Sequence, residues 1–365
     1  MPRIALHILL SLFFLFLLAA GSSANAASLQ DEASAHLAQA RETLQLAGIT
    51  AAIAMNGEIV WEGGAGFRDL EMQLPAEANM VHRVASISKP MTAVAIMQLY
   101  EAGKLKLEAP VQDYLPGYPQ PELGTIRVEH LLAHTSGTRH YKAGENETTT
   151  RYAALNDAVA LYMDRPLAFA PGTGYLYTTY GYTTLGAIIE GISGQRFEDY
   201  MREKVWGPAG MDHTGIEVFG APVENKAKLY RINRKSKALE PDTNDDLSVK
   251  YPGGGMQSTA GDLLRFALAF ESGKLLTPAT RERMLTVPDY PGRKVDYALG
   301  FNVWQWKTLG KVLFHSGNQS GASSQLLIAP EKKIAVAVIT NVQDINLNET
   351  QEGLTAIALK HLEEL

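Results

Sequence analysis

The sequence predicts an α/β protein with the layout of an α+β sandwich, in which one antiparallel sheet is built from both ends of the chain. Runs rich in Val, Ile and Ala that suit strands occur near the N-terminus and again after residue 299. The residues between about 90 and 290 show helical spacing and polar loops instead. Terminal helices would flank the sheet, the middle would form an inserted all-α subdomain, and a site would lie in the cleft between the two parts.

The first elements after the N-terminal segment are a helix and a hairpin. Apolar residues recur at helical spacing over residues 29–47, which predicts an amphipathic helix. Residues 49–55 and 58–61 are β-prone and are joined by Asn56-Gly57. Asn and Gly both tolerate the positive φ angles that a two-residue turn requires, so a tight hairpin is expected there.

The same periodicities predict the remaining elements. Helices are predicted from Pro90 through Leu99 and over 127–134, 152–163, 180–193, 196–204, 260–272, 277–285 and 349–364. Strands are predicted over 299–306, 311–314, 322–328 and 334–340. The polar segments 143–151 and 233–250 predict exposed loops.

Composition excludes several functions. The chain has 33 Lys and Arg against 39 Asp and Glu, a net charge of −6, and no long basic run. This balance gives no support to nucleic-acid binding. The chain has no cysteine, which excludes disulfides, thiolate catalysis and cysteine-based zinc sites.

The N-terminal segment, residues 1–26, has the three-part pattern of a secretory signal. Arg3 supplies the positive start, 8–20 is an apolar run, and Ala24-Asn25-Ala26 suits cleavage before Ala27. An uncleaved membrane anchor is the alternative, but the run is short for a span of roughly 20 residues. We therefore expect an exported chain, periplasmic or secreted, without a stable membrane span after cleavage. Its net charge would be −7, from 32 basic and 39 acidic residues.

The first motif that carries chemistry is Ser86-Ile87-Ser88-Lys89, an S-x-x-K at the start of a helix. Three residues are nearly one helical turn, so Ser86 and Lys89 share a face. A serine hydroxyl becomes a good nucleophile when a neighbouring group takes its proton, and a buried lysine can be neutral enough to do so. On its own the motif is weak, because a capping serine followed by a solvated lysine has the same spacing.

Two further motifs follow the first in the chain. Tyr177, in Tyr177-Thr178-Thr179, could relay a proton to a leaving group, although an isolated tyrosine is more often a structural hydrogen-bond donor. His315-Ser316-Gly317 ends the strand predicted over 311–314. A strand beside the nucleophile could offer a backbone N–H to an oxyanion, and Gly317 would let the substrate approach closely. Taken alone, His315 also fits a surface histidine before a turn.

The order and the intervals of the three motifs resemble the S-x-x-K, Y-x-N/S and K-T-G/H-x-G triplet of serine β-lactamases and penicillin-binding proteins. The likeness covers about residues 40–345. A nearer likeness is to the mitochondrial serine β-lactamase-like group of animals and its bacterial relatives, which are regarded as peptidase-like. Further segments that carry these resemblances are His130 to Gly137, Thr138-Arg139-His140-Tyr141, Pro208 to Met211, and Gly253 to Leu263.

The resemblance implies a β-lactamase/transpeptidase-like fold and a role for each motif residue. Ser86 would form the acyl-enzyme, and Lys89 and Tyr177 would share proton transfer, with the acylation base left open between them. His315 would help to hold a substrate carboxylate or to orient Tyr177. The backbone N–H groups of Ser86 and Asn318 would form the oxyanion hole.

Two positions depart from the family pattern. Thr179 stands where β-lactamases usually have an asparagine whose amide contacts the substrate, and a threonine hydroxyl is shorter and differently aimed. His315 replaces a lysine, so anion binding there should weaken as pH rises through the histidine pKa. Both departures lower the expectation of efficient β-lactam hydrolysis.

Other candidate sites are weaker. His130, His134 and His140 suggest a metal cluster only by their number, because no H-E-x-x-H is present, and the resemblance makes His134 structural. Gly253-Gly254-Gly255 is not followed by G-K-[ST], so a tight turn is favoured over a phosphate loop. We expect no metal and no cofactor.

The prediction is therefore one hydrolase domain over 27–365, with a sheet part at about 27–85 and 292–365 and a helical part at about 86–291. It would act on a small-molecule or peptide substrate as a serine peptidase or esterase. A β-lactamase or D-alanyl-D-alanine carboxypeptidase is one alternative, and a non-catalytic binding or filament-forming scaffold is another. The sequence leaves the substrate and the oligomeric state open.

Overall fold

A seven-stranded antiparallel sheet forms the centre of the structure, a computed structural model that describes residues 27–145, 148–243, 245–289 and 295–364. The predicted signal segment lies outside these residues. The order across the sheet is β3-β2-β1-β12-β11-β10-β9, so strands from both ends of the chain meet at its middle. The strands of this sheet are β1 (Gly48–Met55), β2 (Glu58–Asp69), β3 (Leu74–Pro75), β9 (Asn302–Trp306), β10 (Gly310–Gln319), β11 (Ala322–Ala329) and β12 (Ile334–Thr340).

Helices cover the sheet and fill the middle of the chain. The helices are α1 (Leu29–Thr43), α2 (Ser88–Glu101), α3 (Val128–Leu132), α4 (Leu155–Ala160), α5 (Thr179–Ser193), α6 (Phe197–Met201), α7 (Gly207–Ala209), α8 (Tyr251–Gly254), α9 (Ala260–Glu271), α10 (Pro278–Leu285) and α11 (Asn348–Glu363). The terminal helices α1 and α11 pack together on one face of the sheet, and α9 packs against β1 and β12 on the other. The predicted fold class is confirmed.

Period-two alternation sends the residues of each central strand into two separate cores. In β12, Val336 and Val338 face the terminal helices, whereas Ala337 and Ile339 face the helical part. The β1–β2 hairpin turns at Asn56 and Gly57, whose φ angles of 53° and 89° are both positive, as the sequence predicted. The central strands are buried on both faces, which explains their continuous apolar sequences.

Several predicted elements differ from the structure. The first helix ends at Thr43, not 47, because Gln45 takes a positive φ of 53°. Strand β10 continues to Gln319, so the third motif lies within a strand and not after one. The segment 233–250 is not simply an exposed loop, because it contributes a strand of a hairpin and the buried side chains of Asp245 and Lys250.

Short strands add two small sheets that the sequence pattern did not reveal. A two-stranded hairpin joins β6 to β7, and a three-stranded sheet has the order β4-β8-β5. Strands of two or three residues carry too little periodicity to be recognised. Their ranges are β4 (His82–Arg83), β5 (Gly215–Ile216), β6 (Tyr230–Ile232), β7 (Leu239–Pro241) and β8 (Met256–Ser258).

A buried ion-pair network fixes β4 just before Ser86. The Arg83 guanidinium lies 2.8 Å from Glu217 Oε1 and 2.7 Å from Asp245 Oδ1, and it donates to the Ser320 carbonyl oxygen at 3.2 Å. The Arg83 side chain is inaccessible to solvent. The network therefore ties the strand that leads to the nucleophile to three distant parts of the chain.

Within the described ranges, no helix is both long and apolar enough to cross a membrane.

Replacing Arg83 with methionine should lower the free energy of unfolding by about 3–5 kcal/mol, because it leaves Glu217 and Asp245 buried without their main counter-charge. The measurement is urea unfolding followed by circular dichroism. Arg202→Met, which breaks an exposed pair with Glu198, is the matched control and should change stability little. Equal stability losses in the two variants would contradict the role given to the network.

Candidate active site

Ser86 lies in a strained turn between β4 and α2. Ala85 has a φ of 48°, a value that non-glycine residues rarely adopt, and residues 85–87 form a single 3₁₀ turn. The Ser88 hydroxyl donates to the Ala85 carbonyl oxygen at 2.7 Å and accepts the Met256 N–H at 3.3 Å. Ser88 thus braces the turn, and Ser86 is the motif serine that borders an open cavity.

The Lys89 amine reaches back to Ser86 from the first turn of α2. Its Nζ lies 3.0 Å from Ser86 Oγ, 3.2 Å from Thr179 Oγ1 and 2.6 Å from the Gly253 carbonyl oxygen. A neutral amine has two N–H donors and one lone pair. The two N–H groups can donate to the Gly253 carbonyl and the Thr179 hydroxyl. The lone pair can then accept a hydrogen bond from the Ser86 hydroxyl.

Burial decides the protonation of Lys89. Its side chain is 0% exposed. The pKa of Lys89 is held well below its ordinary value, chiefly because burial removes the ammonium from water and secondarily because Lys250 adds a nearby positive charge. The shift favours the neutral amine, which is the form that can accept a proton from Ser86.

Tyr177 completes the group around the nucleophile. Its phenol is close enough to Ser86 for the serine hydroxyl to act on the phenol pKa, both residues border the same cavity, and the Tyr177 ring centroid lies 4.7 Å from Lys89 Nζ. Burial raises the pKa of Tyr177, and the nearby Ser86 hydroxyl only partly opposes that rise. The phenol is therefore protonated at neutral pH and suits donation or relay of a proton better than abstraction. The structure thus brings Ser86, Lys89 and Tyr177 together.

Aromatic rings behind Tyr177 hold it in position. The His134 ring lies 4.2 Å from the Tyr177 ring between centroids, and the Tyr297 ring meets it edge-on at 6.3 Å. His134 Nδ1 accepts the Thr178 N–H at 3.2 Å. Burial lowers the pKa of His134 well below its ordinary value, so its ring is neutral. His134 is structural here, and nothing in the sequence pattern pointed to Tyr297.

Strand β10 packs directly against the turn that carries Ser86. A Cβ on Gly317 would lie far inside contact distance of the Val84 carbonyl oxygen and 3.0 Å from the Ala85 Cβ. The Ser324 hydroxyl, on the next strand, donates to the same Val84 carbonyl at 2.9 Å. Gly317 therefore permits strand-to-turn packing. That Gly317 also makes room for the substrate stays a prediction.

His315 also differs from its predicted role. Its side chain is only 3% exposed, with Nε2 at 3.1 Å from the Tyr297 hydroxyl and Nδ1 at 2.7 Å from the Ser316 carbonyl oxygen. Burial, aided by the charge of Lys89, lowers the pKa of His315 to about 3. The ring is neutral near pH 7 and does not line the cavity. The buried, neutral ring gives no support to the prediction that His315 binds a substrate anion in a pH-dependent way. The centroids of the His315 and Tyr177 rings are 6.4 Å apart, so His315 can orient Tyr177 only indirectly.

The cavity in front of Ser86 has a volume of about 390 Å³. Asn318 borders it, although its side chain is bound to Asp344 at 2.6 Å, so the backbone is what it can offer a substrate. Thr179 borders it too, but its hydroxyl is already engaged by Lys89. The lining residues are Ala85, Ser86, His140, Tyr141, Tyr177, Thr179, Lys250, Gly253, Gly254, Ser316, Asn318, Gln319, Ser320 and Gln343.

Ten of the fourteen lining residues were not predicted as part of the site, among them His140, Tyr141, Lys250 and Gly253. His140 and Tyr141 belong to a segment that carried the family likeness, so they could have been proposed from it. Gly253 was interpreted as part of a tight turn, but its carbonyl holds Lys89. Lys250 precedes that turn by three residues and looked like part of a solvated loop.

The sequence model of the family described as Beta-lactamase matches residues 33–359. The chain belongs to the beta-lactamase family. It is a serine hydrolase by this membership, and the predicted resemblance is confirmed. The human serine beta-lactamase-like protein LACTB, mitochondrial, is 30% identical and aligns with 83% of this chain and 75% of its own length.

Two solved structures show the same beta-lactamase-family fold. The octameric penicillin-binding protein homologue from Pyrococcus abyssi has a TM-score of 0.76 and 26% identity, and the match covers 88% of this chain and 75% of that one. The D-amino acid amidase from Ochrobactrum anthropi, in complex with D-phenylalanine, has a TM-score of 0.80 over 92% of this chain and 100% of its own. At 21% identity, the amidase supports the fold alone.

In the part of the chain that the structure describes, no three His, Asp or Glu side chains are grouped so that they could hold a metal ion.

Replacing Gly317 with alanine should slow acylation of Ser86 by roughly tenfold or more, because the new methyl group pushes β10 away from the nucleophile turn. The rate of labelling by a fluorophosphonate probe measures this effect. Gly215→Ala is the control, since a Cβ there meets nothing within 4 Å. Unchanged labelling in a folded Gly317→Ala protein would show that this packing does not set the geometry.

Proposed function

We propose that this chain hydrolyses peptides or esters through a covalent acyl-enzyme on Ser86. The observation that carries the proposal is the contact of one serine hydroxyl with a buried amine and a buried phenol at the wall of an open cavity. A nucleophile, a base and a proton donor within mutual reach are what acyl transfer requires.

Lys89 is proposed as the base in acylation. Ser86 Oγ would attack the substrate carbonyl carbon while its proton passes to Lys89 Nζ. Support comes from opposite pKa shifts, since the pKa of Lys89 is lowered and that of Tyr177 is raised. The protonated phenol of Tyr177 would then deliver its proton to the leaving group while the Lys89 ammonium returns the proton taken from Ser86 to the phenol, so that Lys89 is neutral again and Tyr177 protonated. Water would attack the acyl ester in the second half of the reaction and release Ser86.

The backbone N–H groups of Ser86 and Asn318 are proposed as the oxyanion hole. Both residues border the cavity, and they belong to the two segments that Gly317 allows to pack together. Donors fixed by the fold in this way stabilise the negative charge that develops on the carbonyl oxygen.

Peptides and esters are favoured over β-lactams because of Thr179. The amide that β-lactamases usually present at this position is missing, and the Thr179 hydroxyl is engaged by Lys89. The site therefore lacks the side-chain amide that would contact the acyl-amide group, and it offers there only a short hydroxyl that already accepts a hydrogen bond from Lys89.

A fluorophosphonate probe should add one adduct to the protein, on Ser86, and intact-mass spectrometry followed by peptide mapping measures it. Ser86→Ala should take no label. Ser88→Ala should still be labelled, because the Ser88 hydroxyl is turned to the Ala85 carbonyl. Lys89→Met should slow labelling by roughly 10²–10⁴-fold through loss of the general base. An adduct that persists in Ser86→Ala would contradict the proposal.

The pH profile of kcat/KM should show an acid limb set by Lys89, with activity rising as the amine loses its proton. Removing the charge of Lys250 in Lys250→Met should raise the pKa of Lys89 and move that limb to higher pH. The histidines near Lys89 are His134, His140 and His315, and all have lowered pKa values, so their titration lies on the acid side.

Lys228→Met is the control. The Lys228 side chain is more than a third exposed, so removing its charge should leave the acid limb in place. A limb that stays unmoved in Lys250→Met, or moves to lower pH, would contradict the assignment of Lys89 as the titrating base.

A further inference from the structure

Gln319 is the last residue of strand β10 and borders the active-site cavity. It pairs with Ala322 of β11, so the sheet sets the position of its backbone. Alternation along a strand places its side chain on the same face as Gly317, which packs against the nucleophile turn. The Gln319 side chain therefore reaches the cavity wall from the strand that also carries Asn318.

The fold leaves the side-chain amide of Gln319 unpaired. Its Nε2 is buried, and the described residues offer it no hydrogen-bond partner. Its Oε1 lies 3.9 Å from the position that a Cβ on Gly254 would take, and that position is 4.0 Å from the Ala85 carbonyl carbon. Gly254 and Ala85 both line the cavity, so the amide lies at its wall. A buried donor without an acceptor is costly, so we expect this amide to find its acceptor outside the protein.

Two other polar side chains of the cavity are already bound within the protein. The Asn318 amide donates to Asp344 at 2.6 Å, and the Thr179 hydroxyl accepts from Lys89 at 3.2 Å. The amide of Gln319, in contrast, can turn about its last side-chain torsion, which has a broad energy minimum in glutamine. This rotation would present its N–H groups to an acceptor oxygen in the cavity.

We propose that the Gln319 side chain donates a hydrogen bond to a backbone carbonyl oxygen of a peptide substrate, next to the scissile group, so that the site prefers peptides over plain alkyl esters. The inference rests on the proposed function for its reaction but not for its binding site. Peptides and simple esters share the carbonyl that Ser86 attacks, but peptides also carry amide carbonyls on either side of it. The contact would come from β10, and not from the segment beside Lys89 that carries Thr179.

The kinetic test uses thioesters that differ at one neighbouring amide. In each series that amide is kept, replaced by an ester, which retains the carbonyl oxygen, or replaced by a trans-alkene, which lacks it. One series makes the exchange on the acyl side of the thioester, and the other makes it on the leaving-group side.

In one of the series, the parent protein should prefer the amide and the ester over the alkene by roughly fivefold to tenfold in kcat/KM, as expected for one hydrogen bond. Gln319→Met should reduce this preference to less than about twofold. Gln305→Met, at an exposed glutamine of β9, is the control and should keep it. Because a ratio is compared within each protein, any change in the pKa of Lys89 cancels.

Thermal unfolding separates a binding role of Gln319 from a structural one. Because its Nε2 has no partner, Gln319→Met removes no hydrogen bond of that group from the folded protein, and the unfolding midpoint should stay the same or rise. A midpoint that falls clearly below that of Gln305→Met would contradict the unpaired state from which the inference starts.

A binding test separates this inference from the proposed reaction. The Ser86→Ala protein should bind the amide and ester compounds more tightly than the alkenes in calorimetry, and adding Gln319→Met should remove the difference. Equal binding of amide and alkene in both series, a preference for the amide without the ester, or a preference that survives Gln319→Met overturns the inference. Selective binding by Ser86→Ala, with no turnover of any compound by the parent protein, overturns only the proposed function.

Discussion

The site depends on an amine buried without a carboxylate beside it. In the described chain, the hydrogen-bond partners of Lys89 Nζ are the Ser86 hydroxyl, the Thr179 hydroxyl and the Gly253 carbonyl. All three are uncharged, so no counter-charge among the described residues offsets the cost of burying an ammonium ion there. The acids of this region, Glu217 and Asp245, are bound to other cations. The fold thereby makes a weak base out of a residue that is ordinarily a permanent cation.

The surrounding framework fixes the positions of Ser86 and Tyr177 relative to that base. The positive φ of Ala85 turns the chain sharply before α2, and the close packing of Gly317 holds β10 against this turn. On the opposite side, the His134 ring packs against the Tyr177 ring and accepts the Thr178 N–H, which fixes the segment of Tyr177. Each constraint is local, yet the residues come from distant parts of the sequence. The strain at Ala85 persists because packing from several elements over-determines its conformation.

Features set by local sequence could be predicted, and features set by long-range burial could not. Asn56-Gly57 specifies its turn by its own φ preferences, and the spacing of Ser86 and Lys89 follows from one helical turn. The conformation of His315 depends on Tyr297, which no pattern connects to it. Lys250 was placed in a polar segment by its neighbours in sequence, whereas the fold buries it beside Asp245 at the cavity wall.

The most direct test of the account is the ionisation of Lys89 itself. The protein can be labelled with ¹³C in its lysine side chains, and the Cε signal that disappears in Lys89→Met can be followed by NMR as pH is raised. The account predicts that this signal titrates at a pH well below the value of about 10.4 that is typical of exposed lysines. A midpoint at or above that of the exposed lysines in the same spectrum would contradict it.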